Sequence, residues 1–443
     1  MRDQDRALSL AEAVLKAAGG ADQAQVTVTI SDAAYARFAR NYVIQNLDSL
    51  STQISLTYYE GKRSGSISTD DASAASIARL VAKARDIARR VPPDNGFVSL
   101  PKPASIAPAV HSYYAATAEA TPDDRVEKLL PIFARMKASQ LSSSGFTTTQ
   151  TITTAVANSL GVRAAFTGTM SGLQLKAIAA ETSGYAEFYS PDYSRLDPQP
   201  YAERAAEKAT VARVPASFAP GNVTVLLEPS AFAAALKALT EGMGADSVLE
   251  DKDSWMVGRM NQRLFSPNVT LRDDWSHPLF ANPPFNLADG VPTQKLNLID
   301  RGVVKHFVTS TYMANKYHVA NTGHPNFPAN GIIEPGTKSR AELLASIERG
   351  VLISRTWYER VVDPRQASIT GITRDGVYLI ENGKLTKTLK NFRYFVSMLD
   401  AFRDIEFSNT QVLTEPDSDT GYSSVLPDAK IANYHLAAQT SYA

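Results

Sequence analysis

Cysteine is absent from this chain of 443 residues. A chain without thiols forms no disulfide, no cysteine-ligated metal site, no iron–sulfur cluster and no cysteine nucleophile. Histidine is scarce, with six residues, and no two of them stand four positions apart, the spacing that places two zinc ligands on one helix face. A Gly-x-Ser-x-Gly turn, which would expose a nucleophilic serine, is also missing. The sequence therefore lacks the common local motifs for hydrolytic chemistry.

Long apolar runs and net charge are missing as well. No stretch of about 18 apolar residues occurs, so the sequence predicts no membrane-spanning helix. The first residues lead into an amphipathic helix rather than the apolar core of a signal peptide. The 45 basic and 45 acidic side chains cancel, which leaves no overall field to attract nucleic acid or an anionic membrane. We therefore expect a cytoplasmic protein that binds neither nucleic acid nor membrane.

The length of the chain predicts two domains, because single hydrophobic cores stop growing at about 250–300 residues. The hydrophobic pattern changes near residues 215–221, and we place the boundary there. We expect an α+β fold with a sandwich-like N-terminal domain over residues 1–214 and a C-terminal domain over residues 221–443. The second domain is predicted to be rich in antiparallel β-hairpins with short helices. Residues 92–110 contain five prolines and are predicted to be a surface connection.

Apolar periodicity and turn residues predict the individual elements. The predicted helices are residues 4–18, about 70–91, 123–140, 201–212, 340–349 and 394–403. The predicted strands are residues 25–30, 52–59, 64–69, 147–156, 162–179, 295–299, 303–308, 376–380 and 385–389. The pair Asn382-Gly383 is the strongest hairpin signal in the chain.

Residues 223–236 read as a strand that runs into a helix. Pro229 suits the first position of that helix, where no backbone N–H is needed. The apolar residues that follow keep a helical spacing and predict one buried stripe. The residues of this stripe are Phe232, Ala235, Leu236, Leu239 and Met243.

Four aromatic residues stand close together before the predicted boundary. They are Tyr185, Phe188, Tyr189 and Tyr193. Two interpretations remain open: the rings pack between the two halves of the chain, or they form an exposed surface for a partner.

Three blocks of sequence resemble the TldD/PmbA family, which is built around a zinc peptidase. Residues 298–324 resemble the hairpin, short helix and Thr-Gly-(His or Asn) turn of the family. Residues 330–344 are similar to its Glu-Pro-Gly turn and following helix, and residues 376–384 to a further hairpin. The resemblance implies proteolysis of small unfolded proteins or peptides by a heterodimer whose cleft forms between the subunits.

Two departures from the family pattern bear on activity. Catalytic members carry His-Glu-x-x-x-His at the strand-to-helix turn, and the matching positions here are Glu228, Pro229 and Ala233. Catalytic members also supply a cysteine from a loop near the C-terminus, but the comparable loop, residues 414–423, has none. Residues 424–432 are similar to the tail of the PmbA (TldE) branch, which lacks the metal motif.

The resemblance therefore implies a chain that holds no cofactor and is inactive alone. Its expected partner is a TldD-like catalytic subunit that carries the zinc, in a heterodimer, with homodimerisation as the other possibility. Its expected substrate is a peptide. The residues expected along the cleft are His306, Asn321, Thr322, Gly323 and His324.

An alternative keeps a metal in this chain. Here the protein would be a stand-alone homodimeric binding protein or peptidase with a relocated metal site. The ligands would be His306, His318 and His324, which could converge with Glu334.

Overall fold

The computed structural model describes residues 2–212, 214–414 and 423–440. Its helices are α1 (Arg2–Ala17), α2 (Ala74–Arg90), α3 (Ala115–Ala118), α4 (Pro122–Glu127), α5 (Leu130–Ala138), α6 (Pro198–Thr210), α7 (Pro229–Thr240), α8 (Thr311–Tyr317), α9 (Arg340–Ala345) and α10 (Met398–Ala401). The first six strands are β1 (Gln23–Ala39), β2 (Tyr42–Glu60), β3 (Arg63–Thr69), β4 (Ser142–Asn158), β5 (Arg163–Ile178) and β6 (Ser183–Ser190).

Eleven further strands follow in the second half of the described chain. They are β7 (Gly221–Leu227), β8 (Leu271–Asp273), β9 (Leu296–Asp300), β10 (Val303–Val304), β11 (Gly331–Ile333), β12 (Arg349–Asp363), β13 (Ser368–Glu381), β14 (Lys384–Thr388), β15 (Phe392–Ser397), β16 (Ile405–Thr414) and β17 (Ser424–Gln439). The α+β class is confirmed. None of the described helices is both long and apolar enough to cross a lipid bilayer.

The first sheet is antiparallel and has the strand order β3-β2-β1-β4-β5-β6. One face is covered at one end by α1 and α2 and at the other end by α5 and α6. The opposite face packs against the second half of the chain, where Tyr189 meets Phe280 and Phe166 meets Phe285. The opposite face is therefore covered where β4, β5 and β6 meet the second half of the chain, whereas residues 42–53 of β2 are largely exposed.

The first sheet is built from two similar halves. Each half runs helix, three strands, helix, and the halves meet where β1 pairs with β4. Each outer strand carries a glycine at its contact with the last helix: a Cβ at Gly65 would clash with the backbone of α2, and a Cβ at Gly184 with the backbone of α6. The glycines let these helices lie directly on the strands. On β6, this close approach brings α6 over the residues that form the site described below.

The second sheet contains a closed ring of strands. Strand β7 pairs with β12 on one side and with β17 on the other, and the series β12, β13, β15, β17 completes the ring. Helix α7 packs against β12 and β17, and its predicted apolar stripe is buried within the largest core cluster. Pro229 occupies the start of α7, so the prediction for this helix is confirmed.

Several predicted elements need correction. Residues 394–397 are not helical but belong to strand β15. Tyr394 and Val396 are buried in the hydrophobic core while Phe395 is exposed, which is the alternation of a strand. The predicted helix at residues 123–140 is two helices, because the chain breaks at residues 128–129, just before Pro131. Helix α2 begins later than expected and is capped by Ser73.

Other strands are longer than predicted or were missed. Strands β1 and β2 extend far beyond residues 25–30 and 52–59, because Arg40 and Asn41 both adopt positive φ and form a tight hairpin turn between them. Strands β6 and β12 were not predicted. The Pro-rich connection over residues 92–110 contains neither helix nor strand, as expected. The division of the chain into domains at residues 215–221 remains a prediction.

Candidate functional site

The site is built around Glu228, at the junction of β7 and α7. The side chain of Glu228 is 8% exposed, and it forms no capping hydrogen bond with the N-terminus of α7. Pro229 takes the first position of the helix, and Ala233 is partly buried against the core. All three positions of the family motif are thus within or beside a closely packed region.

Two basic side chains hold the carboxylate of Glu228. The Lys208 ammonium on α6 lies 2.5 Å from Oε2, and the Arg340 guanidinium at the start of α9 pairs with Oε1. Lys208 also donates to the carbonyl of Tyr185 at 3.0 Å and to Ser354 Oγ at 3.1 Å. All three donors of the ammonium are therefore used.

Arg340 extends the group to a second carboxylate. Its other terminal nitrogen pairs with Asp428 on β17, and Asp428 in turn accepts a hydrogen bond from Ser408 Oγ. We call Lys208, Glu228, Arg340 and Asp428 the ion-pair cluster. It links α6, which packs on the first sheet, to three elements of the second half of the chain.

Burial and the charges of the cluster together set the pKa values of Glu228 and Lys208. Burial would raise the pKa of Glu228, but Lys208 and Arg340 outweigh burial and hold this pKa well below its ordinary value. Burial lowers the pKa of Lys208 to about 8, against the opposing attraction of Glu228. At neutral pH both groups are therefore ionised.

The residues at the family's motif positions do not fit a zinc ion. Zinc requires three or four nitrogen, sulfur or oxygen ligands, whereas Pro229 and Ala233 offer no side-chain donor. The carboxylate of Glu228 is neutralised by an ammonium and a guanidinium, whose charges would repel a divalent cation. Across the described ranges, no three histidine or acidic side chains are grouped to hold a metal.

A cavity of about 520 Å³ opens beside the ion-pair cluster. Strand β6 and helix α6 form one side of it, and the start of α7, α9, β16 and β17 form the other. Its apolar wall consists of Ala186, Phe188, Tyr189, Leu279, Val412 and Leu413. The cavity therefore lies between the two sheets. Glu228 and Pro229, the first two of the motif positions, are part of its lining.

Glu187 on β6 is a second carboxylate in this cavity, and its environment is unlike that of Glu228. Its Oε2 accepts a hydrogen bond from Tyr185 Oη at 2.6 Å. Its Oε1 is buried and accepts no hydrogen bond from the described part of the chain. Burial raises the pKa of Glu187 to about 7, although Tyr185, Arg355 and Ser230 favour the charged form. Two carboxyl groups of one cavity thus have pKa values moved in opposite directions.

The histidines of the alternative metal site do not come together. His306 and His318 are exposed, whereas His324 is fully buried, with Nδ1 2.9 Å from Thr322 Oγ1 and Nε2 3.2 Å from Asp273 Oδ1. Glu334 pairs with Arg272 instead. The described residues therefore give no support to a relocated metal site.

The turn at residues 321–324 has its own hydrogen bonds. Asn321 Oδ1 accepts from Gly323 N at 2.9 Å, and Thr322 Oγ1 accepts from Thr309 N at 2.8 Å. Gly323 has a φ of +68°, and a Cβ there would clash with Pro292. These residues and His306 are not among those that line the cavity, and their expected place along a cleft remains a prediction.

The aromatic residues are mainly packed rather than exposed. Tyr185, Tyr189 and Tyr193 are 3%, 9% and 3% exposed, and Phe188 packs edge-on against Tyr201. Tyr185 and Tyr189 contact the second half of the chain, whereas Phe188 and Tyr193 pack within the first half. Three of the four rings also line the cavity. The loop at residues 414–423, which matches the loop that supplies a cysteine in catalytic members of the family, lies almost entirely outside the described residues.

Removing Lys208 leaves the buried Glu228 with one cationic partner instead of two, and neutralising Glu228 leaves the buried Lys208 without a carboxylate. We expect Lys208→Met to lower the free energy of unfolding by about 3 kcal/mol, as measured by urea denaturation. Glu228→Gln, the matched neutral variant, is expected to be destabilising for the same reason.

The double variant Lys208→Met/Glu228→Gln removes both charges of one pair. Its cost should be smaller than the sum of the two single costs, because neither charge is then left unpaired. Additive costs would contradict a coupled buried pair.

Comparison with known proteins gives a consistent assignment. The model of the PmbA/TldA metallopeptidase C-terminal domain matches residues 220–438, and the model of the central domain matches residues 104–213. Metalloprotease PmbA of Escherichia coli O157:H7 is 23% identical over 400 residues, which cover 86% of this chain and 85% of that protein. The PmbA homolog of Haemophilus influenzae is 22% identical over 348 residues, 75% of each chain.

A solved structure shares the fold. TldE from Thermococcus kodakarensis matches with a TM-score of 0.86 at 21% sequence identity, over 96% of this chain and 99% of that one. The matched domain models extend over most of the chain, so the resemblance found in its sequence blocks is confirmed: the chain belongs to the TldD/PmbA family.

Proposed function

We propose that this chain is the non-metal-binding subunit of a TldD/PmbA-type zinc peptidase complex in the cytoplasm. A TldD-like partner carries the zinc, and the pair cleaves peptides or small unfolded proteins. In this proposal the chain is a pseudoenzyme that forms one wall of the peptide cleft and has no cofactor of its own.

The observation that carries the proposal is the ion-pair cluster at the motif position. Where a catalytic member would present two histidines and a glutamate, this chain presents Glu228, already paired with Lys208 and Arg340. A buried carboxylate with two cationic partners is a poor general base, because its pKa is held low. The cluster instead favours a structural role, since it fixes α6 against α7 and α9.

The chain also has a surface that suits a protein partner. Strand β3 pairs with β2 only over Ile54–Glu60, so residues 42–53 of β2 have β1 on one side and no described strand on the other. Apolar side chains are exposed along this segment: Tyr42 54%, Ile44 53%, Leu47 42% and Leu50 69%. Unpaired strand edges with apolar residues are normally covered, and a partner subunit or an added peptide strand would cover this one.

The activity test compares the chain alone with the reconstituted pair. A quenched fluorescent, unstructured peptide is incubated with the purified chain, with a TldD-like protein that has an intact His-Glu-x-x-x-His motif, and with both. We expect no cleavage by this chain alone and chelator-sensitive cleavage by the pair. Chelator-sensitive cleavage by the chain alone would refute the proposal.

The interface test uses a charge at the free edge of β2. We expect Leu50→Glu to raise the Kd for the TldD-like partner by at least about tenfold, because a buried charge at an apolar contact costs more than about 1.4 kcal/mol. Co-purification of the two proteins should weaken accordingly. Val98→Glu is the matched control, since Val98 is similarly exposed at 62% but lies in the Pro-rich connection. Equal binding by wild type and Leu50→Glu would exclude this edge as the interface.

A further inference from the structure

The cavity contains more basic than acidic side chains, and they are unevenly paired. Four basic residues line it, Arg195, Arg204, Lys208 and Arg340, together with three acidic residues, Glu187, Glu228 and Asp428. Lys208 and Arg340 are neutralised within the ion-pair cluster. The remaining charges therefore determine what the rest of the cavity can bind.

Arg195 and Arg204 supply the surplus positive charge. Both side chains are exposed, and neither forms an ion pair with a carboxylate in the described part of the chain. The Arg204 guanidinium lies 6.0 Å from the centre of the Tyr201 ring, which keeps it beside the cavity. Two guanidinium groups without an internal partner at an opening suit an anionic ligand, since guanidinium matches the geometry of a carboxylate.

Glu187 provides a polar group deeper in the same cavity. Its Oε2 is taken by Tyr185 Oη, while its buried Oε1 lacks a hydrogen-bond partner among the described residues. A buried carboxyl oxygen without a partner is unfavourable unless a proton or a ligand satisfies it. When Glu187 is protonated, it can donate a hydrogen bond to an anion that enters between the two arginines.

The apolar wall limits the ligand further. Phe188, Tyr189 and Leu413 contribute apolar surface to the lining of the cavity. A small inorganic anion would leave this wall unfilled, whereas an anion with an apolar body would bury it. The volume of about 520 Å³ is large enough for one or two amino-acid residues.

We propose that this cavity binds a ligand with a carboxylate and an apolar body, such as the C-terminal residue of a peptide, with Arg195 and Arg204 on the carboxylate and Glu187 as a hydrogen-bond donor beneath it. The peptide form of the proposal rests on the proposed peptidase function. The binding of a carboxylate does not depend on that function, because all residues of the cavity belong to this chain.

The proposal predicts a dependence of binding on pH. The groups that face Glu187 are Tyr185 on its own strand, Ser230 and Glu228 at the start of α7, and Arg355 on β12. With a pKa of about 7, the protonated fraction of Glu187 falls from about nine-tenths at pH 6 to about one-tenth at pH 8. The ligand carboxylate stays ionised across this range, so its Kd should rise by about tenfold between pH 6 and pH 8.

The experiment measures binding of fluorescein-labelled Ala-Ala-Phe to the purified full chain by anisotropy, without any partner protein. The peptide is used with a free C-terminus and as its C-terminal amide, and phenylbutyrate and inorganic phosphate are added as competitors. We expect the free acid to bind at least about tenfold more tightly than the amide. We expect phenylbutyrate to compete, because it also joins a carboxylate to an apolar body, and its failure to compete would contradict the proposal.

Variants assign the binding to named residues. Arg195→Ala/Arg204→Ala should lose at least about tenfold in affinity for the free acid, and Arg63→Ala, an exposed arginine on β3, should not. Glu187→Gln keeps a donor at the same place, so it should bind at pH 8 as wild type binds at pH 6. Thermal unfolding of each variant shows that the fold is kept.

Other outcomes would overturn the proposal. Equal binding of acid and amide, equal competition by inorganic phosphate, or no binding of either peptide at millimolar concentration would each exclude this carboxylate site. A failure of the partner-dependent peptidase assay leaves these outcomes unchanged, because the partner is absent here.

Discussion

The structure depends on a buried set of opposite charges at the junction of its two sheets. Lys208 from α6 and Arg340 from α9 both bind the carboxylate of Glu228, and Arg340 also binds Asp428 on β17. Bringing such charges out of water is costly, and the cost is recovered only if each has its partner in good geometry. The cluster therefore fixes the relative position of the elements that surround the cavity.

The same cluster is incompatible with a metal ion bound to Glu228. A metal site concentrates negative or neutral ligands around a cation, and this chain concentrates side-chain cations around a carboxylate. An ammonium and a guanidinium thus provide the positive charge at this position in the fold. Neither group is a Lewis acid, so they stabilise the junction but cannot coordinate and activate water as a metal ion does.

The cavity has two chemically different parts. Near Glu228 the charges are paired and the side chains are buried, which suits a fixed wall. Elsewhere in the cavity, Arg195 and Arg204 form no ion pair with a carboxylate of the described residues, and within the same part of the chain Oε1 of Glu187 has no hydrogen-bond partner, which suits a ligand. The two carboxyl groups have opposite pKa shifts because one has two cationic partners and the other is mainly affected by burial.

Local sequence signals predicted the elements that depend on local physics. The Asn382-Gly383 hairpin and the buried stripe of α7 could both be read directly. Strand β15 was predicted as a helix because its alternation is short and continues into α10.

The ion-pair cluster could not be predicted, because its members are far apart in sequence and meet only through the strand order. One local signal was available: Lys208 stands among the buried alanines of α6, a position where a lysine requires a partner.

The most direct test of the central claim is the zinc content of the purified full chain, measured by mass spectrometry after equilibration with zinc and removal of the excess. We expect far less than one equivalent per chain, with no difference between wild type and Glu228→Gln. One tightly held equivalent per chain that is lost in Glu228→Gln would contradict it.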